Sequence, residues 1–466
     1  MKTKKTVLFV VPDGVGIKNY LYSKILTYLK EDNIKVVIWS PLPKQVFVEV
    51  EGLHGISIEY KDLKLLPEPP LTRLYREATT YARLKYNAKL KNNASILTNW
   101  QKPKGFSKRV YMRHVAQFLG DYLAKDYQRI LAYEAKSKQH WTTSVVDQYK
   151  SDLEALQPQS LFITHQRLAS LMPICLAAKQ LGITINTAIF SWDNLPKARL
   201  CVDADYYLVW GDWMKKEMVD YYPEIPKDKV KLVGTPQFEF YLDETKEITR
   251  EAFAKQHDLD VSKKWICFSG DDERTSPYDP QYLNDLEEAL CSRTDIQIIF
   301  RRCPVDFSER YDYVLERFGS LIKSIDPIWN KIEGNWGGFY PDYKDVTLQL
   351  NLAKHCNLVV NLGSTMAFDF SIFNKPCVYI NYDVESSDNW SVKTIYQFQH
   401  FRSMENLEGV VWLDSKEEIN KIISQILNES EKMAKDKEKW REGVVLSPLK
   451  ESSKLIAEQL IVNDIN

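Results

Sequence analysis

The sequence predicts an α/β protein in which one parallel-sheet plan is laid down twice. Three observations predict it. Short apolar runs alternate with amphipathic helical patterns over most of the 466 residues, as strands buried on both faces require. The alternation breaks at a charged stretch near 245 to 262 and then resumes. Finally, "NLVVNLGSTMAFDFSIFNKPCVYINYD", residues 357 to 383, sets Gly363, Ser364 and Thr365 between an apolar run and a helix. In an open α/β sheet that position is the carboxyl end of a strand, where ligands bind.

In the first half the strand-like runs are 6–11, 35–40, 56–60, 160–164, 184–190, 206–210 and 230–233. Helices such as 17–31 and 168–181 fit between them, the second closing at Gly182. Residues 71 to 157 carry no strand pattern and read as a helical insertion. The second half offers runs at 265–269, 296–300, 358–361, 377–380 and 410–413. A Ser415…Glu418 capping box then opens a helix with Ile419, Ile422, Ile423 and Ile426 on one face. The expected domains are 1–245 and 262–445. The tail, 446–466, holds a helix at about 448–461 that packs back on the first domain.

Composition narrows the function. A net charge of −1 gives no global field for nucleic acid. The seven cysteines form no CxxC pair and several lie in apolar runs, so they read as reduced core thiols, not a disulfide frame or zinc site. The basic start "MKTKKTVLFVV" has only six apolar residues, too few for a signal or membrane segment. The expected location is cytoplasmic.

At the Gly363 turn, free N–H groups and the positive end of the following helix favour phosphate. Glycine lets a ligand approach the backbone closely. Thr365 and Asp369 are four apart and share a helix face, which suits a nucleoside diphosphate and its ribose. Simple helix capping by Ser364 or Thr365 is the competing reading.

The segment "GSTMAFDFSIFNKPCVYIN" resembles the donor site of GT-B glycosyltransferases, in the form found in CDP-glycerol glycerophosphotransferases and related bacterial surface-polysaccharide enzymes. "FSWDNLPKARL" (190–200) and "VDADYYLVWGDWMKKEM…KVKLVGTPQFEFY" (202–241) resemble further motifs of such enzymes. The resemblance spans roughly 190 to 385. It implies two Rossmann-like domains facing across a cleft, with a helical insertion in the first. It also implies a metal-independent glycosyltransferase without cofactor, whose donor is a UDP- or CDP-linked sugar. Many retaining members carry a Glu-x7-Glu pair across this turn. Here the spacing reads Asn361-x7-Asp369, which leans towards inversion or a non-sugar phosphate donor.

Other candidates follow the strand ends. Ser269-Gly270 offers backbone N–H groups to a phosphate, while Asp271, Asp272 and Glu273 beside it read as a solvated loop in preference to a metal site. Arg301 and Arg302 form a possible phosphate fork. Gly14 and Gly16 follow the first strand, but Asn19 stands where a dinucleotide fingerprint needs its third glycine, so NAD is not expected. They are candidate acceptor contacts, with Asn194. Asp13, His165 and Asp193 compete as the base that deprotonates an acceptor hydroxyl. Residues 71 to 140 hold 15 Lys and Arg against 4 Asp and Glu, interleaved with Tyr75, Tyr81, Tyr86, Trp100, Phe106, Tyr111 and Phe118. They read as solvated helix faces or as a surface for anionic lipid on the inner face of a membrane. The expected reaction is sugar transfer to a saccharide or lipid-linked acceptor in surface-polysaccharide synthesis. A CDP-glycerol- or ribitol-type phosphate transferase and a non-catalytic GT-B-shaped partner are the alternatives.

Overall fold

The computed structural model describes residues 5–462 apart from 102–103, 318, 320, 333–337 and 386–389. The chain divides into two compact units. The first comprises Met1–Gln237, Phe398–His400 and Val444–Asn466; the second comprises Phe238–Gln397 and Phe401–Gly443.

In the first unit seven strands form one parallel sheet. They are β1 (Thr6–Val10), β2 (Lys35–Ser40), β3 (Glu59–Asp62), β4 (Ser160–Ile163), β5 (Thr184–Ala188), β6 (Tyr206–Val209) and β7 (Val230–Leu232). Their order is β3-β2-β1-β4-β5-β6-β7. The interior strand β1, TVLFV, is buried along its whole length, which is why it reads as an unbroken apolar run. Phe9 sits in register with Ile38 and Phe162 and meets the Phe162 ring edge-on.

Local chemistry moves several expected boundaries. The strand expected at 56–60 begins at Glu59, because Ile58 N–H is tied to Glu51 Oε1 at 2.8 Å at the end of the preceding helix. The helix expected over 17–31 is interrupted: a wide turn, Ile17–Leu21, precedes a regular helix, Ile25–Glu31. Between them Ser23 Oγ donates to the Tyr20 carbonyl at 2.7 Å, the backbone competition that makes serine a poor helix interior residue.

Residues 70–156 contain helices Pro70–Leu90, Lys108–Leu123, Tyr127–Gln139 and Thr143–Leu156. The first three share a small core of Ala78, Ala82, Leu84, Ala116, Leu123 and Ile130. Its small residues allow close packing; a Cβ on Gly120 would lie 2.7 Å from the Ala78 carbonyl oxygen. Buried Arg83 pairs with Glu134 and Glu224 and bonds the Tyr221 carbonyl. The last helix, Ser452–Ile461, packs on the same unit, where Ser160 Oγ donates to Leu460 O at 2.6 Å.

The second unit has β8 (Lys264–Ser269), β9 (Ile296–Arg301), β10 (Ile322–Ser324), β11 (Trp329–Lys331), β12 (Phe339–Pro341), β13 (Leu358–Asn361), β14 (Cys377–Ile380) and β15 (Val411–Leu413). Six form a parallel sheet, β10-β9-β8-β13-β14-β15, and β11 pairs antiparallel with β12. The three-residue strands β10 to β12 escape sequence reading because so short a run has no measurable period. The expected capping box is not formed. Ser415 makes no side-chain cap bond, a tight turn at Lys416–Glu418 intervenes, and the helix runs Ile419–Glu429 with its four isoleucines buried.

Candidate active site

Strands β1 and β4 are neighbours, so the segments leaving their carboxyl ends meet. Asp13 follows β1 and His165 follows β4. Asp13 Oδ1 accepts the Gly16 N–H at 3.0 Å. Its Oδ2 lies 2.6 Å from His165 Nδ1. The ionised carboxylate can only accept, so the proton sits on Nδ1 and Nε2 carries the free lone pair. The imidazole also stacks on Phe190, with centroids 4.2 Å apart and planes 15° from parallel. Both side chains keep some solvent access, 14% for His165 and 21% for Asp13. The two residues read as rivals for one role are thus a hydrogen-bonded pair. Gly14 and Gly16 shape this loop and are buried. A Cβ on Gly16 would lie 2.6 Å from Thr164 Oγ1, so Gly16 serves close approach of the loop to β4.

Asp193 and Asn194 hold other positions. Asp193 pairs with Lys197 and accepts from Asn194 Nδ2 at 2.7 Å. Burial opposes its charge, but Lys197 and His400 outweigh that and hold its carboxyl below the ordinary range. So acidic a group is a poor proton acceptor. Asn194 is 2% exposed. Its Oδ1 accepts from Gln166 Nε2 at 3.2 Å, and Gln166 Oε1 accepts the Phe190 N–H at 3.0 Å. Asn194 therefore braces the residue that stacks on His165. His400 packs edge-on against Trp192. Burial, aided by Lys197 and opposed by Asp193, lowers its pKa to about 4.

In the second unit the turn after β13 is held by its own residues. Asn361 Oδ1 accepts the Ser364 N–H at 2.9 Å, and Tyr379 O–H donates to the Ser364 carbonyl at 3.0 Å. Gly363 has φ +69°, and a Cβ there would lie 2.7 Å from Phe401 Cζ. Its close approach is to that ring. The helix is Met366–Ile372, seven residues, and Thr365 precedes it without a side-chain cap bond. Ser364 and Thr365 are half-buried.

Most of the remaining donor candidates face inward. Asp369 is 6% exposed and hydrogen-bonded to the buried Tyr241 hydroxyl, whose pKa is raised by burial and then by that carboxylate. Arg301 is 3% exposed and donates to Asp345 Oδ1 at 2.8 Å. Asp345 also accepts from Ile328 N and Trp329 Nε1. Arg302 donates to Asp326 at 3.0 Å and to the Ser308 carbonyl. The expected fork is absent, since successive residues at a strand end point to opposite faces. Ser269 is buried, and Gly270 N–H donates to the Arg301 carbonyl. Glycine is needed at 270 because a Cβ would lie 2.6 Å from the Tyr311 hydroxyl. In the following acidic loop Asp272 caps Arg274 and Thr275. Buried Asp279 accepts from Asp271 N–H at 2.6 Å, and burial raises its pKa to about 6. Among the described residues no cluster of His, Cys, Asp and Glu has the form of a metal site.

Sequence reading missed Gln166, Lys197, Tyr241, Asp345 and His400. Lys197 alone had a local signal, four residues after Asp193; the others reach their partners only through the fold.

The basic helices also differ from expectation. Trp100 is buried, bonded to Gln117 and covered by the Arg113 guanidinium 4.5 Å from its ring. Tyr75, Tyr81 and Tyr86 pack against Tyr133, Trp100 and Tyr127. Phe106 is fully exposed, Tyr111 is 73% exposed and Phe118 is 82% exposed. Among the described residues no helix is long and apolar enough to cross a membrane.

No protein-family model matches the chain, and no curated protein does. Solved structures do match it. UDP-GlcNAc 2-epimerase from Neisseria meningitidis superposes with a TM-score of 0.52 at 12% identity, over 99% of this chain and 100% of the other. A glycosyltransferase from Rickettsia africae gives 0.53 at 11%, over 99% and 100%. UDP-GlcNAc 2-epimerase from Methanocaldococcus jannaschii gives 0.51 at 12%, over 98% and 99%. Such identities report fold. With its parallel sheets of seven and six strands, the chain has the GT-B fold, built from two Rossmann-like domains.

Proposed function

We propose that the protein is an inverting glycosyltransferase that moves a sugar from a nucleotide-sugar to an acceptor hydroxyl in bacterial surface-polysaccharide synthesis. The Asp13–His165 pair carries this reading. His165 Nε2 takes the acceptor's hydroxyl proton as that oxygen bonds to the anomeric carbon. The bond from that carbon to the diphosphate oxygen breaks, and the nucleotide leaves with the electron pair. Asp13 orients the ring and stabilises the imidazolium that forms. A base that activates the attacking hydroxyl suits direct displacement, hence inversion. In this reading Ser364 and Thr365 meet the donor diphosphate, with no metal or cofactor required. The UDP-GlcNAc named with several fold neighbours supports a nucleotide-sugar as donor class. A polyol-phosphate transferase is less well supported, because Arg301 and Arg302 are tied to protein carboxylates. A saccharide or lipid-linked acceptor is expected, the latter met at an anionic inner membrane face through the exposed residues of Lys108–Leu123.

His165→Ala and Asp13→Asn test the base. Each variant is expected to lose roughly 100- to 10,000-fold in transfer rate while keeping donor affinity, with product detected by mass spectrometry. Near-normal turnover in both variants would refute the assignment.

A further inference from the structure

We infer that the second unit carries a binding site for a phosphate-bearing anion at the amino ends of β8, β13 and β14. An open cavity of about 340 Å³ lies there, and its lining includes Arg250, Lys263, Lys264, Lys354, His355 and Lys375 but no aspartate or glutamate. The topology brings these cations together. Lys264 is the first residue of β8, Lys375 stands two residues before β14, and the helix Lys344–His355 ends just ahead of β13.

Part of this charge is compensated: Asp260 acts on Lys263 and Asp295 on Lys264 beyond ion-pair distance. Lys354 pairs with Glu247. Among the described residues no carboxylate ion pair reaches Lys263, Lys264 or Lys375. Arg250 lies 3.5 Å from the Trp265 ring centroid and donates to the carbonyls of His355 and Lys263. The guanidinium therefore caps the end of that helix and neutralises its exposed carbonyl. His355 Nε2 donates to the Ile248 carbonyl at 2.8 Å. Burial first, then Arg250 and Lys264, push the Lys375 ammonium below its ordinary pKa. Burial, Arg250 and Lys354 act the same way on His355. The cluster repels its own charge, and a bound anion reverses that repulsion. Several ammonium donors converging on one concavity match a multiply charged phosphate better than a single carboxylate.

The site is distinct from the proposed donor turn. Gly363 follows the carboxyl end of β13, and this cavity lies at its amino end. The four residues of β13 separate them by roughly 13 Å.

Calorimetric titration of the full chain with inorganic pyrophosphate, at ionic strength fixed with sodium chloride, tests the inference. Saturable binding is expected, at least tenfold weaker in the Lys264→Ala/Lys375→Ala double variant. The Lys264→Arg/Lys375→Arg variant should retain it. UDP affinity should be the same in the wild type and the alanine variant, and their ligand-free melting temperatures should agree. Pyrophosphate binding that is equal in wild type and alanine variant, or that is absent at matched ionic strength, would overturn the site.

Discussion

At the residue scale, the site separates groups held charged from groups held neutral. His400 is buried, and its pKa of about 4 lies below the usual 6.5 or so. The folded state therefore favours the neutral ring. That contribution is fully present above about pH 6.5 and is lost as pH falls towards 4, in total about 3 kcal/mol. Asp193, beside it, is held ionised and loses its own contribution only at lower pH. Denaturant titrations at pH 7 and pH 4.5 should show His400→Gln losing less stability on acidification than the wild type. Parallel losses in the two proteins would count against this. The Asp13–His165 pair shows how far residue types alone can be read. Both residues stand out as strand-end polar groups, but no local spacing links two positions so distant in the chain.

At the element scale, the Gly363 turn and the helix Lys108–Leu123 make separate demands. Gly363→Ala must place a side chain in the left-handed region, at about 1–2 kcal/mol, and also displace the Phe401 ring. Thermal unfolding should show a loss at least that large, because ring and turn are packed together. On the helix, Tyr111, Val115, Phe118 and Tyr122 recur at helical spacing with their side chains exposed. Lys104, Lys108 and Arg109 are exposed at its start; Lys102, of the same sequence cluster, lies outside the described residues. Apolar and basic groups so combined suit shallow insertion into anionic lipid, each cation adding about 1 kcal/mol. Low-salt sedimentation with phosphatidylglycerol vesicles should pellet the wild type and leave a Phe106→Ser/Tyr111→Ser/Phe118→Ser variant in solution. Equal recovery of both in the supernatant would make this a solvated face.

At the scale of the whole molecule, binding and stability are linked. A nucleotide held by the folded chain alone should stabilise it by about 2.7 kcal/mol at 100 times its dissociation constant. UDP is expected to raise the melting temperature more than CDP, and Thr365→Val to reduce the shift without lowering the ligand-free melting point. A CDP preference would favour the polyol-phosphate alternative, and an unchanged shift in Thr365→Val would return that residue to a structural role.

The sequence by itself determined the inner strands of the two parallel sheets, because strands buried on both faces must be written as apolar runs. It also marked the polar residues just beyond those runs, since a sheet exposes its functional groups there. Only the tertiary structure decided which of them act together. Asp13 meets His165 because β1 and β4 are neighbours, and strand order is not encoded in any local period. Arg301 and Asp369, equally prominent in sequence, are withdrawn into contacts with Asp345 and Tyr241. A charged residue at a strand end has the same appearance in sequence whether it faces a ligand or an internal partner. Burial and the distance to that partner distinguish the two, and both arise only when remote segments pack.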